Sequence, residues 1–177
     1  MQFAKDSFYM ALYARLGALN PARTVVVNGT TRPAILVLEN ELPSSGDMLA
    51  DAFYIEWGPA SLLEHQAGSR TLVKVECAIS YFSSGTCEST VDRGRVLGAL
   101  DTELFSICEP PRTAKCDFSQ SPSVDLGTFV FWTRPQLDAW KPAANPMVFT
   151  NAGETTANLP RHLASLSVFF FPEVNLQ

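Results

Sequence analysis

The sequence predicts an α+β domain: a mostly antiparallel or mixed sheet with two helices packed on one face, plus a long proline-rich loop or arm. Three observations predict it. Two stretches repeat their apolar residues every three and four positions, as an amphipathic helix does. Several others alternate apolar and polar residues with period two, as a half-buried strand does. The elements also cluster. Their order is helix, hairpin, strand, strand, helix, strand, long loop, strand, so strands are not interleaved one by one with helices. The expected organisation is a single domain over residues 1–177, with 134–160 as the extended loop or arm.

The first helix is expected over residues 6–19, with Asp6 or Ser7 as its cap and Phe8, Leu12, Leu16 and Leu19 as one stripe. Asn20-Pro21 stops it. Asn28-Gly29 is a strong two-residue hairpin signal, because both residues tolerate positive φ. It joins a short strand at 24–27 to a longer one ending near Leu38, with an edge or bulge at Pro33. "ELPSSGDMLAD" reads as a loop. "AFYIEWG" reads as a strand with Phe53, Ile55 and Trp57 on one side, followed by a loop over 58–69.

Residues 71–82 form the clearest strand. Val73, Val75, Cys77, Ile79 and Tyr81 share one side; Lys74, Glu76 and Ser80 share the other. That pattern implies a sheet wet on one face, or covered there by a second protein. The second helix is expected over 89–107, capped by Ser89 or Thr90, with Leu97, Leu100, Leu104 and Ile107 as its core stripe. Gly94 and Gly98 inside it each cost roughly 1 kcal/mol against Ala, which suggests close backbone approach to the sheet. A loop at 117–127 leads into the strand "GTFVFWT". Pro135, Pro142, Pro146 and Pro160 punctuate the arm, and "HLASLSVFFF", closed by Pro172, is the last strand.

Composition excludes several functions. Residues 1–88 carry six Lys/Arg and nine Asp/Glu, residues 89–177 carry seven and nine, and the net charge is −5. Neither half is a basic nucleic-acid arm, so no specific nucleic-acid binding is expected. No apolar run reaches membrane-spanning length, and Asp6 and Arg15 interrupt the place of a signal-peptide core. The expected site of synthesis is therefore a cytoplasm, with no membrane partner. Cys77, Cys87, Cys108 and Cys116 form no compact metal pattern, and free thiols are expected.

The sequence points to no catalytic residue, no cofactor and no metal. His65 and His162 stand 97 positions apart with no nucleophile signature beside either. "SSGTCES" has one glycine and lacks the lysine of a phosphate-binding loop. Asp101 and Glu103, two apart on a helix, point away from each other. The charges are better read as surface. Residues 33–69 contain no Lys or Arg but six acids: Glu39, Glu41, Asp47, Asp51, Glu56 and Glu64. Arg93, Arg95, Arg112, Lys115, Arg134, Lys141 and Arg161 lie elsewhere. The plain reading is solvation of loops. The sharper one is an acidic and a basic edge that favour head-to-tail contact between copies, closing into a ring. The expected interface residues are Glu39, Glu41, Asp47, Asp51, Arg93, Arg95, Arg134 and Trp140. Phe169, Phe170, Phe171, Trp132, Trp140 and Phe149 are the candidate apolar anchors, or simply core.

The leading helix, the hairpin, the strand "LVKVECAISYFS" and the helix "STVDRGRVLGALDTELFSI" together resemble the tail terminator proteins of tailed phages and phage-derived contractile particles. The resemblance covers roughly residues 5–133 and the closing strand. It implies an α+β fold, a homo-oligomeric ring that is expected to be a hexamer, and a structural role capping the tail tube and joining it to the neck or head. Implied partners are the tail tube protein and sheath, neck or connector proteins. The product would be made in a bacterial host cytoplasm and incorporated in a virion tail or phage-like particle. The proline-rich segment 134–160 departs from the compact family pattern. Alternatives are another neck, head-completion or baseplate component, a monomeric ligand-binding module clamping with the 134–160 loop, and an enzyme using His65 or His162.

Overall fold

The structure, a computed structural model, describes residues 1–41, 48–63, 71–83, 92–138, 141–142 and 160–172, without the side chains of residues 92, 93, 141, 142 and 160. It is an α+β fold around one large mixed sheet. Helix α1 spans Gln2–Leu19, the hairpin strands are β1 (Thr24–Val27) and β2 (Thr30–Pro33), and β3 is Ile35–Val37. A short helix α2 (Leu38–Glu41) precedes β4 (Phe53–Leu63) and β5 (Leu72–Phe82). Then come α3 (Asp92–Ile107), β6 (Arg112–Asp117), β7 (Val124–Trp132), β8 (Gln136–Leu137), β9 (Lys141–Pro142) and β10 (Pro160–Phe170).

The large sheet has the order β3-β4-β5-β10-β7-β6, with β8 and β9 also paired to β10. Among the described strand pairs of this sheet, only β3–β4 is parallel. A parallel pair needs a crossover of a dozen or more residues, and the chain between Val37 and Phe53 supplies it. The last strand enters the middle: β10 pairs with β5 along ten positions and meets β7, β8 and β9 in succession on its other side. Helix α1 touches β2 and β3 near one edge and β6 and β7 at the other. One helix can reach both ends of a six-strand order only if the sheet curls round it. Phe8 marks the centre, edge-on to Trp57 of β4 and to Trp132 of β7.

The inner face is apolar by alternation. Val73, Val75, Cys77, Ile79 and Tyr81 of β5 and Ala164, Leu166, Val168 and Phe170 of β10 are buried against Phe8, Leu12 and Leu16 of α1 and Leu97, Leu100 and Leu104 of α3. Both long helices thus share one core. The hairpin covers part of the opposite face, where Val25, Ala34, Leu36, Ala52 and Tyr54 form a second cluster. Its turn has Asn28 and Gly29 at φ 50° and 77°, the conformation expected of that pair. Pro33 ends β2, and the chain changes sheets there.

Several expectations are corrected. Helix α1 begins four residues earlier than expected, with Met1 at the cap position, so Asp6 and Ser7 lie inside the helix. Ser7 Oγ donates to Phe3 O (2.6 Å) and accepts from Cys116 N (2.9 Å), fastening α1 to the edge strand β6. Leu19 leaves the stripe at the frayed end and is half exposed. Strand β4 runs through Gly58 and Pro59 to Leu63, because a bulge between Trp57 and Ala60 absorbs the proline. The expected loop at 117–127 is shorter, since β6 ends at Asp117 and β7 begins at Val124. The expected arm begins with β8 and β9, which complete the sheet; residues 143–159 lie outside the described residues. A Cβ at Gly94 or Gly98 would meet nothing within 4 Å, so close packing does not account for either glycine. Leu97, Leu100, Leu104 and Ile107, the expected stripe, are the α3 residues buried in the shared core. The caps proposed at Ser89 and Thr90 also lie outside the described residues.

Candidate functional site

Three places on the molecule join chemistry to geometry. The first is a polar cluster at the core's margin. Tyr81 follows the inward alternation of β5, and His162 has the same parity as Ala164, Leu166 and Val168 on β10; the two residues stand opposite in the ladder. Asp101 sits beside Leu100, on the flank of the α3 stripe. Its Oδ1 accepts from Tyr81 Oη at 2.5 Å and pairs with His162 Nδ1 at 2.8 Å. The Tyr81 and His162 rings meet edge to face, 6.0 Å apart. Burial, and then the bond to Asp101, push the Tyr81 phenol well above its ordinary range, so it remains a donor. Glu103, two positions on, turns away to Arg23, with Asn20 Nδ2 donating to it at 2.7 Å.

Nothing beside His162 in the sequence marks its partner, yet a signal for one is present. A histidine on the apolar parity of a strand needs a polar partner once buried. What the sequence does not contain is the location of that partner, 61 positions away on another element.

The second place is a cleft of about 210 Å³ between α1 and α2. Lys5, Asp6, Tyr9, Glu39, Trp57 and Phe118 are among the residues lining it. Lys5 Nζ lies 5.1 Å over the Trp57 ring and 3.6 Å from Glu39. Glu41 accepts from Val37 N at 3.0 Å and pairs with Arg32 at 2.5 Å. Burial and Glu41 raise the Tyr9 phenol to about 12.

The third place is the open part of the outer sheet face. Phe169 of β10 stands between Lys74 of β5 and Phe131 of β7, and Arg112 of β6 lies opposite Phe131. Phe129 is 49% exposed and Phe131 39%, their rings 6.1 Å apart. No described helix covers this row. Beside it Glu76 pairs with Lys74 at 2.5 Å and accepts from Ser167 Oγ at 2.9 Å, which together hold its carboxyl below the usual range.

The described residues of the expected interface lie on several elements. Glu39 and Glu41 follow β3 and face cations of their own chain. Asp51 lies before β4 at φ 60°. Arg95 is exposed on α3 and Arg134 is exposed in a pair with Glu109 at 2.7 Å. Asp47 and Trp140, the Arg93 side chain, His65 and Phe149 lie outside the described residues. Trp132 and Phe170, two of the proposed anchors, are buried in the core. Cys77, Cys108 and Cys116 are free, and burial raises the Cys108 thiol to about 12. Among the described residues no group of His, Cys, Asp and Glu is placed to hold a metal ion, and no helix is long and apolar enough to cross a membrane. No protein-family model matches the chain, and no curated protein matches it.

Proposed function

We propose that this chain is a structural assembly protein, a ring-forming tail terminator that caps a tail tube and contacts the neck or head above it. The observation that supports this reading best is the aromatic row on the open sheet face. Exposed single apolar residues are ordinary, whereas Phe129, Phe131 and Phe169 side by side form a contiguous patch of the kind that marks a protein contact. The curled sheet around α1, with α3 sharing its core, fits the α+β architecture that the resemblance implies. The partners in this reading are further copies of the chain, a tail tube protein, and sheath or neck proteins.

Sedimentation and negative-stain imaging test the reading. Rings in solution or on tube ends are expected, and reversing the charges of Arg93 and Arg95 should weaken them. A strict monomer that never joins tail tubes rules the reading out. The cleft beside Lys5 and Trp57 favours a second reading, a ligand-binding module. In that case a small ligand raises the melting temperature with no change in mass.

A further inference from the structure

We propose that the cleft between α1 and α2 binds one organic cation on a short apolar stem, the alkylammonium or alkylguanidinium group that a lysine or arginine side chain also presents. The inference rests on the reading of this cleft as a ligand site and names the class of ligand. Its first support is a wall that already holds such a group. Lys5 Nζ stands 5.1 Å from the centroid of the Trp57 ring, and Glu39 Oε1 lies 3.6 Å from the same nitrogen. An indole face with a carboxylate beside it is the chemistry that recognises an organic cation. Lys5 does not fill the space, since about 210 Å³ remains with its side chain in place. Tyr9, Met10 and Phe118 line that remainder and supply apolar surface for a stem.

The charges decide the sign of the ligand. Among the described residues lining the cleft are three carboxylates, Asp6, Glu39 and Glu41, and one amine, Lys5. Glu41 is occupied, because Arg32 pairs with it and Val37 N donates to it at 3.0 Å. Lys5 offsets Glu39. Asp6 meets a neutral partner instead, Gln2 Nε2, which donates to its Oδ1 at 2.7 Å. One negative charge is therefore left without a counter-charge. The first turn of α1 also borders the cleft and by itself favours an anion. Its dipole amounts to about half a charge, against the full one on Asp6. Tyr9 responds to the same field. Burial and then Glu41 hold its phenol up at about 12, so it stays protonated and adds no negative charge. A site that resists an anion in this way favours a cation.

Chemical-shift titration of the Trp57 indole N–H, on the full chain at neutral pH and low ionic strength, tests the site. The probes are n-butylguanidinium, n-butylammonium, n-pentanol and pentanoate. Both cations should bind about ten-fold tighter than the alcohol, from the difference between charged and neutral hydrogen bonds, and pentanoate should bind weakest. Asp6→Asn should bring the cations down to the level of the alcohol. Lys5→Met clears the Trp57 face and releases Glu39, so it should tighten cation binding, a gain that damage to the fold does not produce. The capped peptide acetyl-Gly-Arg-Gly-amide separates the sources. Bound as tightly as butylguanidinium, it assigns the site to a side chain of a partner protein; excluded, it assigns the site to a free small cation, and the site stands in both cases. An alcohol that binds as tightly as the cations overturns the proposal and leaves the cleft a ligand site. No shift with any of the four probes overturns both. A folded Asp6→Asn chain with wild-type cation affinity also overturns the proposal.

Discussion

The two faces of the large sheet are made by the same strands and differ in what lies over them. On the inner face, Val73 to Tyr81 of β5 and Ala164, Leu166, Val168 and Phe170 of β10 alternate into the core and are buried with α1 and α3. On the outer face, the hairpin and residues 48–52 cover the β3–β4 end and the adjoining end of β5, where Leu36, Tyr54 and Phe82 are buried. The remainder mixes Lys74, Glu76 and Ser167 with Phe131 and Phe169. A covered face is uniformly apolar because polar groups there lack partners. An open face has no such requirement, so aromatic residues clustered on it carry information that buried ones do not.

This contrast can be broken most severely at its centre. Phe8→Ala removes the ring that joins Trp57 to Trp132 and should cost about 4 kcal/mol in denaturant unfolding. Leu36→Ala, in the smaller outer cluster, should cost about 3 kcal/mol, and a cost equal to that of Phe8 would mean that the two faces are covered equally well. Arg15→Met should cost about 2 kcal/mol, because its guanidinium serves the carbonyls of Ile107, Pro110 and Arg112 while stacking on Trp132. On the open face, Phe129→Ser with Phe131→Ser should change monomer stability by no more than about 0.5 kcal/mol. The same pair should abolish assembly, read by sedimentation, if copies meet there.

The smallest effect concerns Glu76. Its carboxyl is held below the ordinary range by bonds from Lys74 and Ser167. A depressed carboxyl contributes stability above its unfolded-state value, and that contribution is lost as pH falls through the folded-state value. Unfolding curves of wild type and Glu76→Gln should therefore differ slightly at neutral pH and converge in acid. An unchanged gap would place the effect outside the carboxylate.

Periodicity made much of this legible. The stripes Phe8, Leu12, Leu16 and Leu97, Leu100, Leu104 and the alternation from Val73 to Tyr81 all identify buried faces correctly. The strand β6 was missed because Arg112–Asp117 has almost no apolar alternation and takes its place from α1 through Ser7. The far end of β4 was missed because Pro59 reads as a breaker until a bulge absorbs it. Glu39 and Glu41, two acids of the expected acidic edge, each have a cation from their own chain beside them, which the sequence does not show.

Sequence alone determined which residues turn inward, where the hairpin turns and where α1 stops, because those depend on chemistry within a few positions. Tertiary structure decided that β10 enters the middle of the sheet, that the sheet curls until one helix touches both edges, and that Asp101 meets Tyr81 and His162. Those outcomes depend on contacts between residues tens of positions apart. Local periodicity says that a side must be buried, and only the packed chain says against what.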